Sequence, residues 1–178
     1  MLIMPDLRDR VEEERGLLKR IQLHVPGFAG YRRREDIRTA DNMLRRQLAE
    51  MIEEARRGVE DARKALAENY QMAVLDDVGG LIHSFQSLEG KVRHAEGGYS
   101  GISPAIRIVE DELNYLYEYD LSMLDAVATM GEEADALKSA VGGDDVPEKI
   151  SKLLSLVNDF EDAFKKRMRA ITKTEVSK

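Results

Sequence analysis

The sequence predicts an all-α fold: an elongated antiparallel four-helix bundle with long helices plus an extra N-terminal helix. Three observations predict it. Apolar residues recur at three- and four-residue steps through most of the chain, the period of a helix buried along one face. Breaks are few: Pro26-Gly27 with Gly30, then Gly97-Gly98-Tyr99-Ser100-Gly101 before Ser103-Pro104, then Gly142-Gly143 before Pro147. No stretch alternates as a strand does. The 178 residues, 43% of them apolar, suffice for one domain with a core of its own. Residues 1–25 are read as the N-terminal helix and 35–172 as the bundle.

Each element has its own stripe. The first, over about residues 5–24, carries Leu7, Val11, Leu18, Ile21 and Val25. The second starts near Glu35 and runs through Ile37, Leu44, Leu48, Met51, Ala55, Val59, Ala62 and Leu66, a bundle or coiled-coil seam. The third offers Val74, Val78, Leu81, Phe85, Leu88 and Val92. The turn between the second and third is placed at 68–71 in preference to Gly79-Gly80. An unbroken helix from 35 to 95 would be about 90 Å long, too long for a lone domain. The fourth opens with Ser103 as N-cap and Pro104 at the first helical position. Its stripe, from Ile106 and Val109 through Leu113, Leu116, Leu124, Val127, Met130, Ala134 and Leu137 to Val141, keeps phase across Gly131. The fifth starts at Asp145-x-x-Glu148, a capping-box pattern, and carries Ile150, Leu153, Val157, Phe160, Phe164, Met168 and Ile171.

Charge is unevenly distributed. Residues 1–70 carry a net +1, residues 71–145 a net −11 and residues 146–178 a net +3, within a total of −7. Antiparallel packing turns this into poles. The end holding the start of the second helix collects Arg32, Arg33, Arg34, Arg93, Lys165, Lys166, Arg167 and Arg169. The opposite end collects Asp76, Asp77, Glu132, Glu133, Asp135, Asp144 and Asp145. A basic pole attracts an anion, an acidic partner or the acidic pole of a second copy.

Two groups stand out as candidate sites. Arg32, Arg33 and Arg34 open a helix, against its macrodipole, and Arg93 and His94 precede, with Tyr99 inside, a Gly-rich loop before a helix N-terminus. Guanidinium forks and free backbone N–H groups are what a phosphate or carboxylate requires. The loop lacks the Gly-Lys-Ser/Thr ending of a phosphate-binding loop. Asp120 interrupts the fourth stripe between Leu116 and Leu124, so it is expected in a buried polar network, with His83, Arg107 or a Tyr hydroxyl as partner.

Other chemistries find little support. The chain has no Cys, which excludes disulfides and thiolate chemistry. Its three His form no Glu-x-x-His pair, and no metal or cofactor is expected. Nothing resembles a nucleophile elbow. The acidic balance argues against nucleic acid. No apolar run approaches the roughly 18 residues of a membrane span, and Met1–Pro5 is too short for a secretory signal, so the cytoplasm is the expected location.

Gly30-Tyr31, Glu35–Asp41, His94–Gly101 and Leu116–Asp120 together resemble a small uncharacterised all-helical family of prokaryotes, over about residues 25–125. The resemblance implies no activity and no residue role. The expectation is a non-enzymatic interaction or scaffold protein that self-associates or docks on a protein partner. The alternative is a small-anion or phosphate-ligand module at the basic end.

Overall fold

The computed structural model describes residues 7–31, 34–95 and 110–176, with side chains over 12–31, 39–95 and 113–169. Five α-helices are described: α1 (Leu7–His24), α2 (Arg34–Glu68), α3 (Leu75–His94), α4 (Glu110–Ser139) and α5 (Val146–Val176). A 3₁₀ turn, Met72–Val74, leads into α3. No strand occurs among the described residues. The fold is all-α, as expected.

The stripes become the core. Leu44, Leu48, Ala55, Val59, Ala62 and Leu66 of α2 are buried, as are Val78, Leu81, Phe85, Leu88 and Val92 of α3. From α4 come Leu113, Leu116, Leu124, Val127, Met130, Ala134 and Leu137, and from α5 Ile150, Leu153, Val157, Phe160 and Phe164. Helix α4 runs unbroken through Gly131. The proposed start at Ser103-Pro104 lies outside the described residues. Helix α5 begins at Val146, and the Asp145 carbonyl accepts the first helical bond from the Lys149 N–H, 3.1 Å.

The turn after α2 falls at Asn69-Tyr70-Gln71, and Gly79-Gly80 lie inside α3. Its geometry is a Schellman cap. The Gln71 N–H donates to Leu66 O (3.0 Å) and the Tyr70 N–H to Ala67 O (3.1 Å). Such a cap needs a left-handed residue, here Tyr70 with φ of 59°. The position normally belongs to Gly, so the usual stop signal was missing from the sequence.

Helices α2, α3, α5 and α4 form a closed ring of neighbours, with α1 packed on α4. Direction alternates along the chain, yet the α2/α4 neighbours run parallel. Gly58 of α2 faces Ala134 of α4, and Asp61 faces Lys138. The α3/α5 pair is parallel too: Gln71, just before α3, bonds Gly143, just before α5, and Lys91 of α3 bonds Glu161 of α5. The bundle is thus two antiparallel hairpins set side by side. We call the end with the starts of α2 and α4 the lower end, and the opposite end the upper.

Candidate functional site

Three stripes carry one interruption each. Asp41 occupies the slot between Ile37 and Leu44 of α2, and Asp120 that between Leu116 and Leu124 of α4. Arg167 continues the Phe160–Phe164 row of α5. Because all three sit on core-facing rows near the lower end, folding brings them together. All three are fully buried.

Arg167 is the hub. Its Nε donates to Asp120 Oδ1 (2.6 Å), its Nη1 to Asp41 Oδ1 (2.6 Å) and its Nη2 to the Tyr31 hydroxyl (3.0 Å). The Tyr31 hydroxyl in turn donates to Asp120 Oδ2. Arg45, one turn above Asp41, donates from Nε to Asp41 Oδ2 (2.8 Å) and from Nη2 to Asn42 Oδ1 (2.6 Å). Two arginines thus face two aspartates, and all four carboxylate oxygens accept a bond. A buried ion cluster is tolerated on those terms: opposite charge close by, with lone pairs filled.

Electrostatics follow from that burial. Desolvation, reinforced by the Asp120 charge, pushes the Tyr31 phenol well above its ordinary value. Burial also raises Asp120, against the pull of Arg167 and the Tyr31 hydroxyl. For Arg167, burial acts to lower the value, but Asp120, Tyr31 and Asp41 together outweigh it, so the guanidinium stays charged. Tyr31 is a fixed hydrogen-bond donor at neutral pH, and the cluster is a charged clamp.

An aromatic plug seats Tyr31. Its ring stacks on Tyr117 at 5.5 Å, and Phe28 meets both edge-on at 5.4 and 6.4 Å. The Tyr31 N–H donates to the Tyr117 hydroxyl, 3.2 Å. Gly30 makes this approach possible. It has φ of 88°, and a Cβ there would collide with the Tyr117 hydroxyl. The cluster therefore ties the segment after α1 to α2, α4 and α5.

The structure meets the expectations unevenly. Asp120 is buried and networked, with a Tyr hydroxyl as one partner. His83 is exposed on α3 and does not join the network, because its position lies off the buried row of Leu81 and Phe85. Arg107 lies outside the described residues. Arg167, read as part of a basic pole, is inside the protein and neutralised by two aspartates. Arg93 is half-exposed but engaged with Glu89 (3.1 Å) and Glu53 (3.4 Å). His94 is exposed at the end of α3. Arg32, Arg33 and Tyr99 lie outside the described residues, as does the side chain of Arg34. The sequence reading missed Asp41, Arg45 and Arg167 as network members. The signal for Asp41 and Arg167 was present, as charged residues at apolar positions.

Among the described residues, no group of three or more His, Cys, Asp or Glu is placed to hold a metal ion. No described helix is long and apolar enough to cross a membrane. No protein-family model matches the chain, and no curated protein or solved structure matches it.

Proposed function

We propose that this chain is a non-enzymatic interaction or scaffold protein of the cytoplasm, a preformed helical bundle that self-associates or docks on a protein partner rather than on nucleic acid. One observation carries the reading. Large apolar side chains stand in solvent on a bundle whose own core is closed: Leu23 is 82% exposed, Tyr70 86%, Met72 60% and Tyr115 56%. Tyrosines with an exposed ring and a polar tip are favoured anchors of protein interfaces. The interior charges already have partners within the fold, so the clamp supports a rigid scaffold.

The charge layout supports the same reading. Asp76, Asp77, Asp144 and Asp145 are exposed at the upper end, without an ion pair among the described residues. An acidic end raises the encounter rate with a basic partner and makes it salt-sensitive.

The test combines light scattering on gel filtration, at low and high salt, with a photo-crosslinking residue placed in turn at positions 23, 70 and 115 in cells. Association in either assay is the expected result. A monomer at both salts that also crosslinks to nothing from all three positions overturns the reading.

A further inference from the structure

The α2–α4 seam is covered only in part. Over its lower part, α1 packs on the α4 side and the segment after α1 crosses the seam: Gly27 abuts Met43 of α2, and Gly30 abuts Tyr117 of α4. Helix α1 docks by two features. Ile21 is buried in the core and Leu18 packs against it. On the flank, Arg20 and His24 both reach Asp125 of α4, at 4.0 Å.

Directly above, the same seam repeats those features without a described helix on top. An open groove of about 250 Å³ runs between Met51 and Gly58 of α2 and Val127 and Gly131 of α4. Its rims carry Glu54, Glu132 and Asp135, none of them in an ion pair among the described residues, and no cation lines it. Gly131 faces open space, since a Cβ there would meet nothing within 4 Å. Gly58 is different: its Cβ would press on Ala134 Cβ at 3.2 Å, so the floor on that side is already in contact.

We propose that this groove is the docking site of a cationic amphipathic helix from a partner protein, which would set basic side chains on the α4 carboxylates as α1 sets Arg20 and His24 on Asp125 one step below. The inference rests on the interaction reading above and names its surface and partner class. Charge complementarity selects the occupant. Three carboxylates with no countercharge repel an acidic helix and leave a neutral one without partners, whereas Lys or Arg flanking an apolar stripe satisfies them. A second copy of the chain fits less well. The apolar stripes of α2 to α5 are already buried in its own core, and of the described α5 cations near the lower end Lys165 bonds Glu161 and Arg167 is buried, which leaves only the exposed Lys166 and Arg169.

The probe is a fluorescein-labelled 18-residue helical peptide with a Leu face flanked by Lys, followed by fluorescence anisotropy against the full chain. Its counterpart with Glu for every Lys is the control. The Lys peptide binds saturably and the Glu peptide does not. Gly131→Leu fills the groove without touching the core, and weakens binding by about tenfold or more; Glu132→Lys with Asp135→Lys does the same. Circular dichroism and thermal melting of these variants check that the fold is retained. Failure of the Lys peptide to bind overturns the proposal, as does binding that ignores Gly131→Leu. A self-associated mass that Gly131→Leu abolishes assigns the groove to a second copy and overturns the partner assignment. Crosslinking from positions 23 or 70 that persists while the peptide fails leaves the interaction reading standing and removes only the groove.

Discussion

At the lower end of the bundle, Arg167 meets Asp41, Asp120 and Tyr31 in the buried core. At the upper end, Gln71 joins the two hairpin turns in the open. Its Nε2 donates to Gly143 O (3.2 Å), and its Oε1 accepts from the Gly142 N–H (2.7 Å) and from Asn69 Nδ2 (3.4 Å). Both devices hold one hairpin against the other. Their energetics differ because of burial. A buried charge that loses its partner retains its full desolvation cost, whereas an exposed amide that loses its partner turns to water. The lower end is therefore the brittle one, and the upper end tolerates change.

Arg167→Leu tests the brittle end most severely. It leaves buried Asp120 without a countercharge, held by the Tyr31 hydroxyl alone, and Asp41 with Arg45 alone, and is expected to cost about 3–5 kcal/mol, read by urea denaturation. A loss under about 1 kcal/mol would show that the cluster is not a clamp. Gly30→Ala comes next. It forces both a strained φ and a collision with Tyr117, and should cost about 2–3 kcal/mol.

Alkaline pH separates the ends without mutation. The Tyr31 value is raised in the folded chain, so the unfolded chain ionises first, near pH 10. The Tyr31 contribution is complete below that pH and is lost as pH rises through the gap, at about 1.4 kcal/mol per pH unit. Absorbance of ionised tyrosine should show Tyr31 titrating only as the protein unfolds. Tyr31→Phe should remove that fraction of the pH dependence.

The upper end supplies the two smallest effects. Gln71→Ala should cost about 1 kcal/mol, because its bonds are exposed and partly replaced by water. Tyr70→Gly should stabilise by about 0.5–1 kcal/mol, because glycine adopts the left-handed cap without a Cβ penalty. It would also remove an exposed ring offered to partners, so a more stable protein that crosslinks less from position 23 or 115 would couple the cap to recognition.

Much of the fold was legible before folding. The stripes of α2 to α5 placed the core, and Gly142-Gly143 with Asp145 placed the last turn, because backbone period and cap chemistry are local properties. The turn at Tyr70 was harder to read, since a Schellman cap built on tyrosine shows no glycine. Asp120 announced itself as a polar residue in an apolar row. Asp41 and Arg167 carried the same mark, but nothing local distinguishes a charge that closes a buried cluster from one that lies on a solvated face.

Residue spacing alone specifies the helices, their buried faces and the need of Asp120 for a partner, because these follow from a period of 3.6 residues and the cost of desolvation. Packing alone sets α2 parallel to α4, turns Arg167 inward from the surface of the basic end to neutralise two aspartates, and leaves the upper half of the α2–α4 seam open among the described residues. Those outcomes depend on which stripe faces which, a choice made by packing whole helices against one another across more than a hundred residues of chain.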